Sequence, residues 1–487
     1  LPDMEDDLSH EATRLWGGRF KSGPSPELMR LDITAKPEWR QAIYDLAGSR
    51  AHARELRRAG VLTETELEEI LKAVDELDAE VRNGAFAPND QDEDVHTTLE
   101  RGLLEKLGTL GGKLRAGRSR NDQAVTDLRL YLRDAARGLG VELIKLQRAL
   151  VDQARDNLDT LAPGFTHLQP AQPISFGHQL AAHAQALARD LDRLQDWDRR
   201  AAFSPLGSAA LAGSTIAVHP ELSARELGFF GPCANSMDAV GDRDHVAELL
   251  FVCALAGVHL SRLCEEVCLW TSRQFRWVEL DDGYCTGSSI MPQKKNSDIA
   301  ELTRGAAGIF IGNLVSVLVQ LKGLPLTYNR DLSYDKHEAF DTIDMMMLHL
   351  PAMTGMIATM RVNREVMAKE ATDGFTLATD VADWLARQGV PFRSAHEIVG
   401  RLVQCCETKG VELDGLTDAE LAGIDPLLTP QVRTVLDVRE ALRARCGLGA
   451  TSPERVLEQL LSLESRMQGF SSWAEAKVNG IAEAPSR

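Results

Sequence analysis

Residues 281–301, "DDGYCTGSSIMPQKKNSDIAE", hold two adjacent serines, two adjacent lysines and a glutamate between apolar, helix-periodic segments. Gly283 and Gly287 permit unusual backbone angles and movement. Ser288 and Ser289 offer hydroxyls, and Lys294 and Lys295 supply positive charge. Asn296, Ser297 and Asp298 are cap-type residues, which places a helix start there with Glu301 in its first turns. The stretch has no G-x-S-x-G elbow and no phosphate-binding Walker spacing. The physical reading left is a mobile lid that brings a hydroxyl and a cation to an anionic substrate. A solvated linker is the alternative, but it does not explain such groups concentrated between two apolar helices.

Three more polar islands interrupt the helical text. "LRAGRSRND" at 114–122 sets Arg115, Arg118 and Arg120 beside Ser119, Asn121 and Asp122. It reads either as a basic turn capped by Asn121 or Asp122, or as a carboxylate-binding cluster at a helix N-terminus. "PGFTHLQPAQPISFGHQ" at 163–179 places His167 in a non-periodic, Pro- and Gly-flanked segment with Thr166 and Gln169 beside it. A loop leading into a helix is a common position for catalytic groups. His178 and His183 fall inside the helix that follows and read as packing or capping residues. "LTYNRDLSYDKHEAFD" at 326–341 carries Tyr328, Asn329, Arg330, Lys336 and Glu338. Alone it is also consistent with a solvated helix start.

Long helices must position these islands. Apolar residues at three-, four- and seven-residue spacings predict helices over 121–157, 175–200, 243–278 and 299–322. Gly138 and Gly140 weaken the middle of the first. Helices this long and apolar need other helices around them, within one chain or between chains. Shorter helical pieces flank them at 40–59, 64–83 and 94–107, and again at 376–388, 394–409 and 417–421. Thr63 followed by Glu66 is a capping-box start. Sustained period-2 alternation is nearly absent, so the fold class is all-α. The divisions fall at 1–117, 118–366 and 367–487, with 1–13 expected as a disordered lead-in.

The bulk properties narrow the function classes. A chain of 487 residues with 44% hydrophobic content exceeds one compact domain. A net charge of −18 argues against nucleic acid and anionic membrane surfaces as partners. An anionic small substrate then needs a locally basic pocket. The eight cysteines show no Cys-x-x-Cys and no zinc-type spacing. Cys264 and Cys268 share a helix face and read as small buried apolar residues, as in a reducing cytoplasm. The nearly apolar run at 249–260 is too short to span a bilayer. The acidic N-terminus lacks the apolar region of a secretory signal.

Together the islands resemble one family. "GSSIMPQKKN" is similar to the signature of the fumarase/aspartase superfamily, and "THLQPAQP" to its histidine motif. The form "MPQKKN", with "LWGGRF" at 15–20, "DEDVHT" at 92–97, "AGRSRNDQ" at 116–123, "YNRDL" at 328–332 and "GVPFRSAHEIVG" at 389–400, resembles the argininosuccinate lyase family. The resemblance implies three all-α domains, a homotetramer cored by long helices, and active sites built from three subunits. It implies release of fumarate from argininosuccinate by β-elimination, with no cofactor and no metal. It assigns Ser288 and His167 as the acid/base pair and Lys294 as the stabiliser of the aci-carboxylate. Glu301 pairs with His167 in this scheme. Which member of the acid/base pair abstracts the proton stays open, with Ser288 favoured. Thr34, Arg120, Asn121, Thr166, Asn296, Tyr328, Ser333 and Lys336 are the implied substrate contacts. Ser333 departs from the family's frequent glutamine, Tyr334 from an acidic residue and Thr34 from a serine. The competing readings are adenylosuccinate lyase or fumarase, and an inactive structural relative of the lens-protein kind.

Overall fold

Five long helices form the centre of the computed structural model: Arg120–Asp156, Phe176–Ala201, Asp244–Thr271, Asp298–Leu321 and Asp335–Thr359. The structure describes residues 25–476. The expected lead-in at 1–13 and the "LWGGRF" motif at 15–20 lie outside the described residues. The architecture is all-α, and strands among the described residues make four short two-stranded ladders.

Close helix contact is bought by small residues at two points. A Cβ on Gly257 would stand 2.6 Å from the ring of Phe310, which is fully buried. Helix Asp244–Thr271 therefore lies directly against Asp298–Leu321. A Cβ on Gly140 would stand 2.7 Å from Trp473. That glycine, which weakens the helix as an isolated sequence, is the seat for the final helix Pro453–Glu475. Val456, Leu460, Leu463, Met467 and Phe470 of this helix belong to the central apolar cluster.

Two further apolar clusters flank the centre. One gathers Leu46, Leu56, Ile70, Leu77, Leu99 and Leu114 from the N-terminal helices. The other gathers Val381, Leu385, Leu402, Leu421 and Val432. The capping box at Thr63 and Glu66 forms as the sequence predicts.

The predicted helix over 243–278 stops earlier, at Thr271. Arg276 takes φ +54° and Trp277 turns inward, its indole N–H donating to Glu370 at 2.6 Å. Val278–Glu279 then pairs with Arg361–Val362. The apolar residues that prolonged the helical pattern are buried by this turn. Residues 163–179 also differ from expectation. Leu161–Thr166 and Gln169–Ser175 form an antiparallel hairpin ahead of the helix Phe176–Ala201. A register shift between Gly164 and Phe165 breaks the alternation, and Pro163, Pro170 and Pro173 are tolerated because both strands are edges.

Helices Asp244–Thr271 and Asp298–Leu321 are long and apolar enough to cross a membrane by length and composition alone. The uninterrupted run at 249–260 understated them, because a helix tolerates scattered polar residues. Both pack in the bundle, yet 61% of the apolar window is buried in the first and only 28% in the second. The second keeps an outward face of Leu302, Ile309, Val315, Leu318 and Val319.

One buried ion cluster ties the last helix to the bundle. Asp198 accepts from Arg133 Nε at 2.8 Å, Arg137 Nη2 at 2.9 Å and Trp473 Nε1 at 3.1 Å. Burial pushes the Asp198 pKa up, but the two guanidiniums outweigh it and hold it below the ordinary value. Asp198→Ala leaves two guanidiniums buried without their carboxylate, so it should cost about 3–5 kcal/mol in urea unfolding. Because the folded pKa is depressed, the stabilisation is present above the unfolded carboxyl value of about 3.9 and is lost as pH falls through the folded value. The gap between wild type and variant should therefore close only in acid.

Candidate active site

A cleft of about 590 Å³ lies where the N-terminal helices meet the start of helix Arg120–Asp156. Ser119 caps that helix, its hydroxyl accepting from Asn121 N at 3.2 Å, while Asp122 Oδ1 accepts from Ser119 N at 3.0 Å. The cap is thus Ser119, one of the polar residues of that island, and Asn121 is left to face outward. Thr34, Arg120, Asn121, Tyr328, Ser333 and Lys336 all line the cleft. Six of the eight implied contacts, dispersed over three hundred residues of sequence, therefore share one wall system.

Each is held by specific partners. Arg120 donates to Thr97 Oγ1 at 3.0 Å and stands 3.4 Å from Asp94 and 3.6 Å from Glu100. Burial raises the Asp94 pKa, but Arg120, His96 and the Thr97 donors more than offset it and hold it low. Asn121 Nδ2 donates to Ala210 O at 3.0 Å. Lys336 Nζ lies 3.4 Å from both Glu38 and Asp335. Burial alone would lower the Lys336 pKa; the two carboxylates outweigh it, so the ammonium is kept charged. Asp335 in turn is paired with Arg243. Glu38, Arg243 and Asp335 are cleft residues that the sequence reading missed. For Asp335 the available signal was its place inside the 326–341 island, directly before Lys336.

The remaining candidates lie outside the cleft lining, on two hairpins and on the first turn of helix Asp298–Leu321. His167 and Leu168 are the two-residue tip of the hairpin, with φ +55° and +57°. That is the mirror-image turn suited to strand twist, and it presents both side chains to solvent. Thr166, at the last rung, is exposed beside them. Thr286–Gly287 pairs with Lys295–Asn296, so residues 288–294 form a second projecting tip. Ser288 Oγ accepts from Met291 N at 3.1 Å, and Ile290 at that tip is 82% exposed. Asn296 is half-buried at its base. Glu301 is exposed on the first turn of Asp298–Leu321 and makes no hydrogen bond to His167 within the chain among the described residues.

A lyase family model matches residues 20–312, and an argininosuccinate lyase C-terminal model matches residues 375–443. The argininosuccinate lyase of Frankia casuarinae is 59% identical over 461 residues, covering 95% of this chain and 99% of that one. Argininosuccinate lyase 1 of Pseudomonas fluorescens is 57% identical, covering 96% and 98%. The chain belongs to the argininosuccinate lyase family. Among solved structures, an EDDS lyase in complex with formate superposes with a TM-score of 0.80 at 29% identity, covering 95% and 94%. A class II fumarase from Schistosoma mansoni shares the fold, with a TM-score of 0.71 at 18% identity, covering 86% and 92%.

Within this family member the two adjacent lysines have different surroundings. Lys295 Nζ donates to Leu280 O at 2.6 Å and to Asp282 Oδ1 at 2.7 Å, fastening the base of the loop. Lys294 is exposed and has no ion pair among the described residues. Ser333 Oγ lies 2.9 Å from the Tyr328 hydroxyl. The two hydroxyls share one hydrogen bond on the cleft wall. With the charge-stabilising role that the family resemblance implies for it, Lys294→Met should lower kcat by about 10²–10³. Lys295→Met should cost less than a tenth of that in the same steady-state assay, through loosening of the loop.

Proposed function

We propose that this chain cleaves argininosuccinate to arginine and fumarate by β-elimination, as the last step of arginine biosynthesis in the cytoplasm. The observation that carries the reading is the 59% identity to an argininosuccinate lyase over 95% of the chain. The cleft adds physical support. Arg120, Asn121, Tyr328 and Lys336 offer cations and hydrogen-bond donors to a substrate bearing three carboxylates.

The hydrogen to be removed sits beside a carboxylate and is very weakly acidic. In the proposed reaction the Ser288 hydroxyl, activated on loop closure, abstracts it. Lys294 stabilises the doubly charged aci-carboxylate that forms. His167, oriented by Glu301, supplies the proton to the departing guanidinium nitrogen. Thr166 and Asn296, next to His167 and at the base of the serine loop, complete the substrate contacts with Thr34 and Ser333.

These groups must converge, and we assign their convergence to a homotetramer. The outward apolar face of Asp298–Leu321 is the surface that copies would bury against one another. Each loop tip also presents an exposed apolar residue, Leu168 or Ile290, suited to closing against another surface. The three-domain organisation enters the same reading, with the bundle at 118–366 as its core and the final helix returning to it.

Three measurements test this. Purified protein mixed with argininosuccinate, without added metal or nucleotide, should release fumarate by ultraviolet absorbance; adenylosuccinate and malate should give none. Ser288→Ala should remove at least about 10³ of the rate while leaving particle size at four chains. Inactive Ser288→Ala and His167→Asn chains, unfolded together and reassembled, should regain part of the activity, since some mixed sites receive both intact residues. No recovery from well-formed mixed tetramers would sink the shared site.

A further inference from the structure

A buried polar group lies under the cleft and is used by none of the roles above. Asp45 comes from helix Ala42–Arg58, His96 from Val95–Leu107 and Asp127 from Arg120–Asp156. All three are buried, with ligand-type atoms within 4.8 Å of one another. His96 Nδ1 stands 2.5 Å from Asp45 Oδ2 and 3.4 Å from Asp127 Oδ2. Asp45 also accepts from Gln123 Nε2 at 2.7 Å and from Ser49 Oγ at 3.1 Å. Asp127 Oδ2 has no hydrogen-bond partner. Arg118, just before the Ser119 cap, and Arg120, at the start of the helix that carries Asp127, face the group, and Asp94 and Asp122 lie nearby.

The contact pattern divides the two carboxyls. Asp45 gathers three donors; Asp127 Oδ2 gathers none. Two carboxylates this close in a buried site do not both ionise. We infer that Asp45 carries the charge, that Asp127 carries a proton, and that the pair fixes His96 with Nδ1–H on Asp45 and Nε2 turned to the cleft as an acceptor for the cationic, arginine-derived half of the substrate. Asp45 is then a positioning residue acting through His96. The His96 ring lines the cleft, and with Nδ1 committed to the core Nε2 is the nitrogen left for a ligand. Asp94 and Glu100 line the same wall and favour a cation there. Burial and the Asp45 charge push the Asp127 carboxyl well above its usual range. Burial acts the same way on Asp45, but His96, Arg118 and Arg120 overcome it and hold that carboxyl low.

A metal ion suits this geometry less well. Ligands about 2.1 Å from one ion at right angles stand about 3.0 Å apart. The 2.5 Å separation of His96 and Asp45 is a hydrogen bond.

The inference rests on the argininosuccinate reading for its ligand, so the test separates the two. Failure of wild-type protein to release fumarate would remove that reading first. With active protein, calorimetry on the full tetramer measures binding of arginine and, separately, of succinate. His96→Ala and Asp45→Asn should each weaken arginine by about tenfold and succinate by less than twofold. In turnover, the loss from Asp45→Asn should exceed that from Asp127→Asn by at least about tenfold, because only Asp45 is charged. The double variant Asp45→Asn/His96→Ala should be no worse than His96→Ala alone. Asp45→Glu should recover part of the loss. Equal losses from the two Asp→Asn changes, additive effects, or weakened succinate binding with intact arginine binding would each overturn it. So would activity lost to a chelator and restored by a divalent ion. If Asp45→Asn fails to fold, Gln123→Leu removes a donor from the same oxygen and should weaken arginine binding selectively.

Discussion

The first turn of helix Arg120–Asp156 joins bundle to cleft, and one carboxyl makes the joint. Asp122 is fully buried and accepts backbone N–H donors from Ser119, Gly207 and Ala209. Burial pushes its pKa up to about 6 in spite of those donors. The arrangement does two jobs at once. It closes the N-terminus of a 37-residue helix, and it pins the 207–210 loop against Asn121, whose amide reaches Ala210 O. Arg120 and Asn121 owe their place in the cleft to this clamp. Without it the helix would fray where these two candidate binding residues sit.

The cleft itself is a mosaic of opposed charges. Arg120 is surrounded by Asp94 and Glu100; Lys336 by Glu38 and Asp335; Arg243 by Asp335. Each cation arrives already paired. A substrate carboxylate must therefore compete with resident acids, which makes recognition depend on geometry more than on net field. This explains how a chain of charge −18 can hold an anionic substrate without a basic surface. It also suits a ligand that is itself mixed, with carboxylates at one end and a cation at the other.

Much of this was legible in the sequence, and the exceptions have physical causes. Helix periodicity placed four of the five central helices to within a residue or two at most ends, because their buried faces repeat every 3.6 residues. The helix predicted to reach 278 failed because Trp277 and Val278 are buried by a turn, and apolar character alone does not report which. The His167 hairpin was hidden by prolines and a register shift that erase period-2 alternation. The family resemblance singles out Lys294, but adjacent identical letters give no physical reason for the difference; the structure adds that Asp282 and Leu280 O hold Lys295 at the base of the loop. Asp45, His96 and Asp127 sit on three helices with no shared motif, so their meeting is a product of packing alone.

The exposed loops and the exposed helix face are two sides of one constraint. Within a single chain six of the eight candidate binding groups are gathered in the cleft, while Ser288, His167, Lys294 and Glu301 stand apart from it on exposed elements. The helix that carries Glu301 is the one whose apolar face lacks cover. Burying that face against other copies would move Glu301 and the serine loop at its base toward surfaces contributed by those copies. In the proposed homotetramer, assembly would supply both cover for this face and neighbours for the exposed loop residues. In that assembly loss of the interface would remove chemistry together with stability, whereas a change confined to a loop tip would remove chemistry alone.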